Sequence, residues 1–348
     1  MSTTDNPLQD MVVVRLNADM FPISQFEREA YQRYGIHPRR VDKLDAAAIE
    51  DIAACDGLCV VSESLPAELI DRLTRCRVIS RLGAGTDKID CRCATRHGIL
   101  VTNVPDFCAE EQADHVMALL LAVARKLPEM RTKMLAGHWD DSRAACRSLH
   151  RLSGRVLGLV GWGWSAKAVA RRANGFGLRV IACRQSQSGQ DADARQLGVE
   201  MTDLATLLSS SDYVSLHLPL TDQTRQMFTA ERFASMRAGA IFINTARGGL
   251  VDEVALAASL GAGHLAGAGL DTFQDINVHV STAERPPEHP LLELDNVVFT
   301  PHVAGFSEES ARDVGYGAIE NLAAVLSGRW PTRSHIVNHG VQPRFPLD

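Results

Sequence analysis

Residues 154–184, GRVLGLVGWGWSAKAVARRANGFGLRVIACR, decide how the rest of the chain is read. The apolar run 156–160 is short and lies in glycine-rich surroundings, as a buried parallel strand does. Residues 166–173 then have helical spacing, and 179–183 are strand-like again. Together they make one βαβ unit. Its turn, Gly161-Trp162-Gly163-Trp164-Ser165-Ala166, has the G-x-G-x-x-A form of a dinucleotide-binding loop. Gly161 permits the tight turn, Gly163 lets the backbone approach a pyrophosphate, and small Ala166 lets the helix pack close on the strand. The helix N-terminus offers its N–H groups to the phosphates.

In an NAD-binding unit an acidic residue about 20 positions further on bonds the ribose hydroxyls. Here Arg184 stands 18 residues after Ala166 and is followed by Gln185 and Ser186. A guanidinium and a hydroxyl can hold a 2′-phosphate by charge-assisted hydrogen bonds, whereas a carboxylate would repel it. These residues predict NADP(H) as the favoured cofactor, with NAD(H) possible.

The 348 residues suffice for two α/β domains, and with 45% hydrophobic and 22% charged residues the chain can bury two cores. A net charge of −6 supplies no basic field for nucleic acid or an anionic membrane surface. No continuous apolar run reaches transmembrane length. The opening MSTTDNPLQD reads as a polar tail without the basic start and apolar core of a signal peptide. The cysteines at 55, 59, 76, 91, 93, 108, 146 and 183 contain no CxxC pair, so they read as small hydrophobes. No metal site is expected, and reduced thiols point to the cytoplasm.

Before the βαβ unit, residues 11–16, 57–62, 77–82 and 99–104 are β-like and alternate with helical patterns such as 45–54 and 66–75. That alternation predicts a first parallel sheet with crossover helices. The third run leads into Gly83-Ala84-Gly85, a strand-end loop whose backbone N–H groups could take a small carboxylate, or simply a tight turn. Residues 109–127 form a helix with an acidic start and a basic end, too apolar for a one-sided surface helix. It is expected to be buried at a domain junction or subunit interface. Residues 139–153 read as a linker.

Beyond Arg184, runs 212–218, 240–245, 265–273 and 296–299 add four strands and complete a doubly wound sheet of about six. Arg247, Asp271 and His302 fall beyond successive strand ends, where such sheets bind their ligands. Residues 277–290 are a polar, proline-rich loop, and a last helix, 308–326, precedes a tail expected to fold back on the first domain.

The segments RLGAGTDKID (81–90), NVPDFCAEEQADHVMALLLAVAR (103–125), GWGWSA (161–166), HLPLTDQTRQMF (217–228), INTARGGLVDE (243–253), GAGLDTF (267–273) and TPHVAG (300–305) resemble the D-isomer-specific 2-hydroxyacid dehydrogenases. The likeness runs from about residue 50 to residue 340. It implies an α/β protein of two Rossmann-like domains with parallel sheets. The substrate-binding domain would be discontinuous, 1–106 and 303–348, with the NAD(P)-binding domain inserted at 107–302. A homodimer is implied, with no nucleic-acid or membrane partner.

By the same resemblance Arg247 clamps the substrate carboxylate and polarises its carbonyl, and His302 is the acid/base. Asp271 would bond the nicotinamide carboxamide. Gly83, Ala84 and Gly85 would grip the substrate carboxylate, and His217, Pro219, Thr224, Thr245 and Ala246 would line the cofactor. The family places a Glu about five residues after the Asp, where it pairs with the histidine and keeps its pKa high. Ile276 falls there, so Asp275 is the expected partner, Glu284 the alternative, and an absent pair the third possibility.

The activity implied is hydride transfer between NADP(H) or NAD(H) and a small D-2-hydroxyacid/2-oxoacid pair, as in glyoxylate/hydroxypyruvate reductases. Val60-Val61-Ser62 lacks the Arg common there in phosphoglycerate dehydrogenases, which argues against a phosphorylated substrate. The alternative is a nucleotide-sensing regulatory protein like the C-terminal-binding-protein corepressors. The displaced Glu favours it, and intact Arg247 and His302 oppose it.

Overall fold

A computed structural model describes residues 8–18, 20–42, 44–185, 191–274, 276 and 287–348. The chain divides into two compact units, one made of Met1–Phe107 with Ser307–Asp348 and the other of Cys108–Phe306.

The first unit is built on five parallel strands: β1 (Val13–Leu16), β2 (Arg39–Val41), β3 (Gly57–Val60), β4 (Val78–Arg81) and β5 (Leu100–Thr102). They lie in the order β2-β1-β3-β4-β5. β1 and β3 are buried along their whole length, as parallel strands covered on both faces must be. β2 was not legible as a strand because it is the charged edge, with Arg39 and Arg40 exposed.

The helix Glu308–Leu326 covers one face. Its Ile319, Leu322 and Leu326 pack into a cluster with Val13, Cys59, Val78 and Leu100. Each fully buried side chain of this kind contributes about 1.5–3 kcal/mol over leaving it exposed. A capping box between Ser307 and Ser310 starts this helix, and the Ser80 hydroxyl donates to the Ala318 carbonyl at 2.7 Å. On the other face Ile52, Ile70, Leu73 and Cys93 meet Val14, Leu58, Ile79 and Val101. The helical spacing read over 66–75 yields only Ala67–Ile70.

The second unit has seven parallel strands: β6 (Val156–Val160), β7 (Arg179–Cys183), β8 (Glu200–Met201), β9 (Tyr213–Leu216), β10 (Ile241–Asn244), β11 (Gly267–Leu270) and β12 (Val297–Phe299). Their order is β12-β11-β10-β9-β6-β7-β8. The expectation of six missed β8, two residues long and mostly solvated. From β6 the chain first winds out through β7 and β8, then returns to β9 on the other side. The direction therefore reverses at β6 and β9, and a crevice opens beyond the carboxyl ends of those strands.

The helix Ala109–Ala124 lies against Trp164–Gly175 and against β10 and β11. Ala113, Val116, Leu119 and Leu120 are buried there with Leu159, Ala166, Ala170 and Ile243, which explains its high apolar content. That burial places the helix in the core of the second unit. Residues 139–153, read as a linker, contain the helix Trp139–Ala145, whose first turn carries Asp140 and Asp141. The eight cysteines are free thiols. Among the described residues no helix is long and apolar enough to cross a membrane.

Candidate active site

At the end of β6 the chain turns at Gly161 with φ 105°, where an added Cβ would lie 2.2 Å from the His217 carbonyl oxygen. Only glycine meets both demands. The following helix, Trp164–Gly175, begins after Gly163 with no side-chain cap, leaving its first N–H groups to an anion. Ala166 is buried against the sheet and Trp162 is nearly so, while Trp164 stands exposed. His217 lies with Nδ1 3.0 Å from the Ser165 hydroxyl and Nε2 2.9 Å from that of Ser215. Burial pushes its pKa down to about 4, so the imidazole is neutral near pH 7 and adds no charge to the turn. Beyond it, Thr224 Oγ1 donates to the Pro219 carbonyl at 2.7 Å and closes the next turn.

Arg184 follows the end of β7 with Nη1 2.9 Å from Asp191 Oδ2. Asp191 also caps the helix Ala192–Gln196. The sequence reading missed this counter-ion, because an Asp at a helix start reads simply as a cap. Gln185 is exposed, and Ser186 lies outside the described residues.

After β10 come buried Thr245, half-buried Ala246, and Arg247. The Asn244 side chain braces this loop from both sides: Oδ1 accepts the Ala246 N–H at 3.0 Å and Nδ2 donates to the Arg247 carbonyl at 2.9 Å. Arg247 Nη1 also donates to the Ala246 carbonyl at 2.7 Å. Gly248 approaches the backbone after β11 so closely that an added Cβ would sit 2.0 Å from the Phe273 carbonyl carbon. Asn244 is a site-shaping residue that the sequence left unassigned.

Asp271, at the end of β11, is fully buried. Oδ1 accepts the Thr300 hydroxyl at 2.5 Å and the Val303 N–H at 3.0 Å, and Oδ2 accepts the Ala304 N–H at 2.9 Å. The carboxylate therefore closes a clamp on the turn that carries His302. That residue has φ 59°, in the left-handed region that costs a non-glycine residue about 1–2 kcal/mol. Such strain persists where the surroundings over-determine it, and the clamp supplies that constraint. His115, on the helix Ala109–Ala124, adds a further contact, with Nε2 2.8 Å from Thr300 Oγ1.

Both carboxylates considered as partners of His302, Asp275 and Glu284, lie outside the described residues. Glu253 has a different task. It accepts the Gln274 N–H at 2.7 Å and pairs with His289 Nε2 at 2.8 Å, so one buried carboxylate anchors the chain on either side of that stretch. In the first unit, Asn103 Nδ2 donates to the Ala84 carbonyl at 2.6 Å and Val104 N–H to that of Gly83 at 3.1 Å, which fixes the Gly83–Ala84–Gly85 loop.

An uncapped helix start at the switch point, with Arg247, Asp271 and His302 beyond neighbouring strand ends, is an arrangement that suits an oxidoreductase of the nicotinamide-dinucleotide class. Residues 117–304 match the family described as D-isomer specific 2-hydroxyacid dehydrogenase, NAD binding domain. A glyoxylate reductase of Korarchaeum cryptofilum is 39% identical over 295 residues, covering 84% of this chain and 86% of its own.

Among solved structures, a D-lactate dehydrogenase of Aquifex aeolicus complexed with NAD and lactic acid aligns with TM-score 0.82 at 26% identity, over 94% of this chain and 99% of its own. An acyclic imino acid reductase in complex with NADPH and D-Arg aligns with TM-score 0.79 at 26% identity, over 94% and 99%. The chain belongs to the D-isomer-specific 2-hydroxyacid dehydrogenase family and is an NAD(P)-dependent enzyme. These matches give no support to the regulatory alternative.

Proposed function

We propose that this enzyme reduces a small unphosphorylated 2-oxoacid, glyoxylate or hydroxypyruvate, with NADPH as its preferred donor. The observation that carries the reading is the pair of braced groups beyond β10 and β12, the strands on either side of β11: Arg247 on the loop held by Asn244, and His302 on the turn clamped by Asp271. A planar guanidinium suits the substrate carboxylate and can polarise the neighbouring carbonyl. His302, as the imidazolium, donates its proton to the carbonyl oxygen as that carbon accepts hydride, and recovers a proton afterwards. Bound nicotinamide supplies the hydride. The backbone of Gly83, Ala84 and Gly85 is assigned to the substrate carboxylate.

The test is reduced-nicotinamide oxidation with glyoxylate, hydroxypyruvate, pyruvate and 3-phosphohydroxypyruvate. Turnover is expected to be fastest with one of the first two. Efficient turnover of the phosphorylated acid alone would overturn the substrate assignment.

For the cofactor, the ion pair of Arg184 with Asp191 changes what the guanidinium must do: a 2′-phosphate has to share it with, or take it from, a carboxylate. A charge-assisted contact of this type contributes about 1.5–3 kcal/mol. Arg184→Ala is therefore expected to weaken NADPH binding about 10- to 100-fold and NADH binding by less than about threefold. Equal losses for the two dinucleotides in a fluorescence titration would remove Arg184 from the discrimination.

A further inference from the structure

Three polar side chains from distant parts of the second unit meet beneath the His302 turn. His115 Nε2 lies 2.8 Å from Thr300 Oγ1, which lies 2.5 Å from Asp271 Oδ1; His115 Nε2 is itself 3.5 Å from that oxygen. Their proton placement follows by elimination. A hydroxyl has one proton, and Asp271, which already accepts two backbone N–H groups, is the acceptor that takes it. Toward His115 the Thr300 oxygen can then only accept, so His115 Nε2 carries a hydrogen and donates it.

We propose that His115 is a positioning residue for the reaction. Its N–H fixes the rotation of the Thr300 hydroxyl, which locks Asp271 onto the Val303 and Ala304 amides and so holds His302 in its left-handed conformation. His115 suits the task because the helix Ala109–Ala124 is seated in the core of the second unit, with Val116, Leu119 and Leu120 buried on it. The donor is thereby referenced to the rigid sheet, not to the turn it steadies. Without it the Thr300 hydroxyl is held by Asp271 alone, the clamp loses one of its ties, and the strained turn loosens. Displacing a reacting group by about 1 Å can lower a rate by about 100-fold.

The effect on rate rests on the assignment of His302 as the acid/base; the effect on the turn does not. Two readouts keep these apart. The first is kcat and KM with NADPH and the best 2-oxoacid for His115→Leu, His115→Gln and Thr300→Val. His115→Leu is expected to lower kcat about 10- to 100-fold with KM for NADPH changed less than about threefold. Gln places an amide N–H near the position of Nε2 and is expected to recover most of that loss, a rescue that loss of packing would not show. The double variant His115→Leu/Thr300→Val should be no slower than the slower single one, because both cut the same link.

The second readout is backbone amide exchange at Val303 and Ala304, which should quicken in His115→Leu and in Thr300→Val whether or not a substrate is known. Should His115→Leu fail to fold, Thr300→Val carries the test. Unchanged exchange together with kcat within about twofold of wild type would overturn the proposal. Faster exchange with unchanged kcat would limit His115 to steadying the turn and would overturn its positioning role in the reaction, while the role of His302 itself is tested by His302→Asn. An amide no better than leucine at position 115 would show that the donor is not what matters, and would overturn the proposal as well.

Discussion

His302→Asn is expected to lower kcat by a factor of about 10²–10⁴, the range that a positioned general acid contributes. Asn is the informative replacement because it tolerates positive φ better than other non-glycine residues, so the turn at φ 59° should persist while the titrating imidazole is lost. The Asp271 clamp holds Thr300, Val303 and Ala304, none of which is changed. Dinucleotide affinity should therefore stay within about threefold of wild type. Stopped-flow oxidation of NADPH, together with a binding titration, measures both. A kcat within about tenfold of wild type would remove His302 from proton transfer.

The second large effect is expected from the least chemical residue in the site. In Gly248→Ala the new Cβ would sit 2.0 Å from the Phe273 carbonyl carbon and 2.2 Å from the Gln274 nitrogen, both backbone atoms that no rotamer change can move aside. Overpacking of this kind costs about 1–3 kcal/mol, and more where backbone must shift. The loss corresponds to a fall in melting temperature of roughly 2–12 °C. Because Arg247 is the preceding residue, kcat/KM should fall as well. Gly261→Ala is the control: its Cβ would meet nothing within 4 Å, and both quantities should hardly change. Differential scanning fluorimetry and steady-state kinetics on the two variants decide the matter; similar behaviour would mean that the loop yields easily.

What was legible in the sequence was local. The strand, glycine turn and helix of 154–184 announce themselves within a few residues, since periodicity and the turn glycines are nearest-neighbour properties. So did the placement of Arg247, Asp271 and His302 beyond strand ends. The strands that escaped, β2 and β8, are an arginine-bearing edge and a two-residue pairing, neither with an apolar pattern to read. The helix Trp139–Ala145 was lost because it buries little, so its short polar pattern looked like a connection.

The clamp escaped for another reason. His115 and Thr300 are 185 residues apart, and nothing near either names the other. Asp271 is expected from the resemblance to bond the nicotinamide carboxamide, and nothing in the sequence shows that its oxygens also hold the His302 turn. Arg184 was likewise read alone, although its carboxylate partner is only seven residues away. Residue types at strand ends suggest the chemistry, but the contacts that hold them depend on which distant segments the fold brings together.

The way the chain is shared between the two units has a consequence for biosynthesis. The second unit is one continuous stretch, Cys108–Phe306, whereas the first needs Ser307–Asp348 to cover its sheet, with Leu322 and Leu326 seated on Val78 and Leu100. At translation rates of about 5–20 residues per second, the ribosome spends roughly 10–40 s making the intervening segment. Through that interval the face of the sheet that carries Val78 and Leu100 lacks the helix Glu308–Leu326 and has only the cover that Ala30, Tyr31 and Ile36 give it. Of the two units, the one begun earlier is the later to be finished, and its incompletely covered sheet is the surface a chaperone would meet.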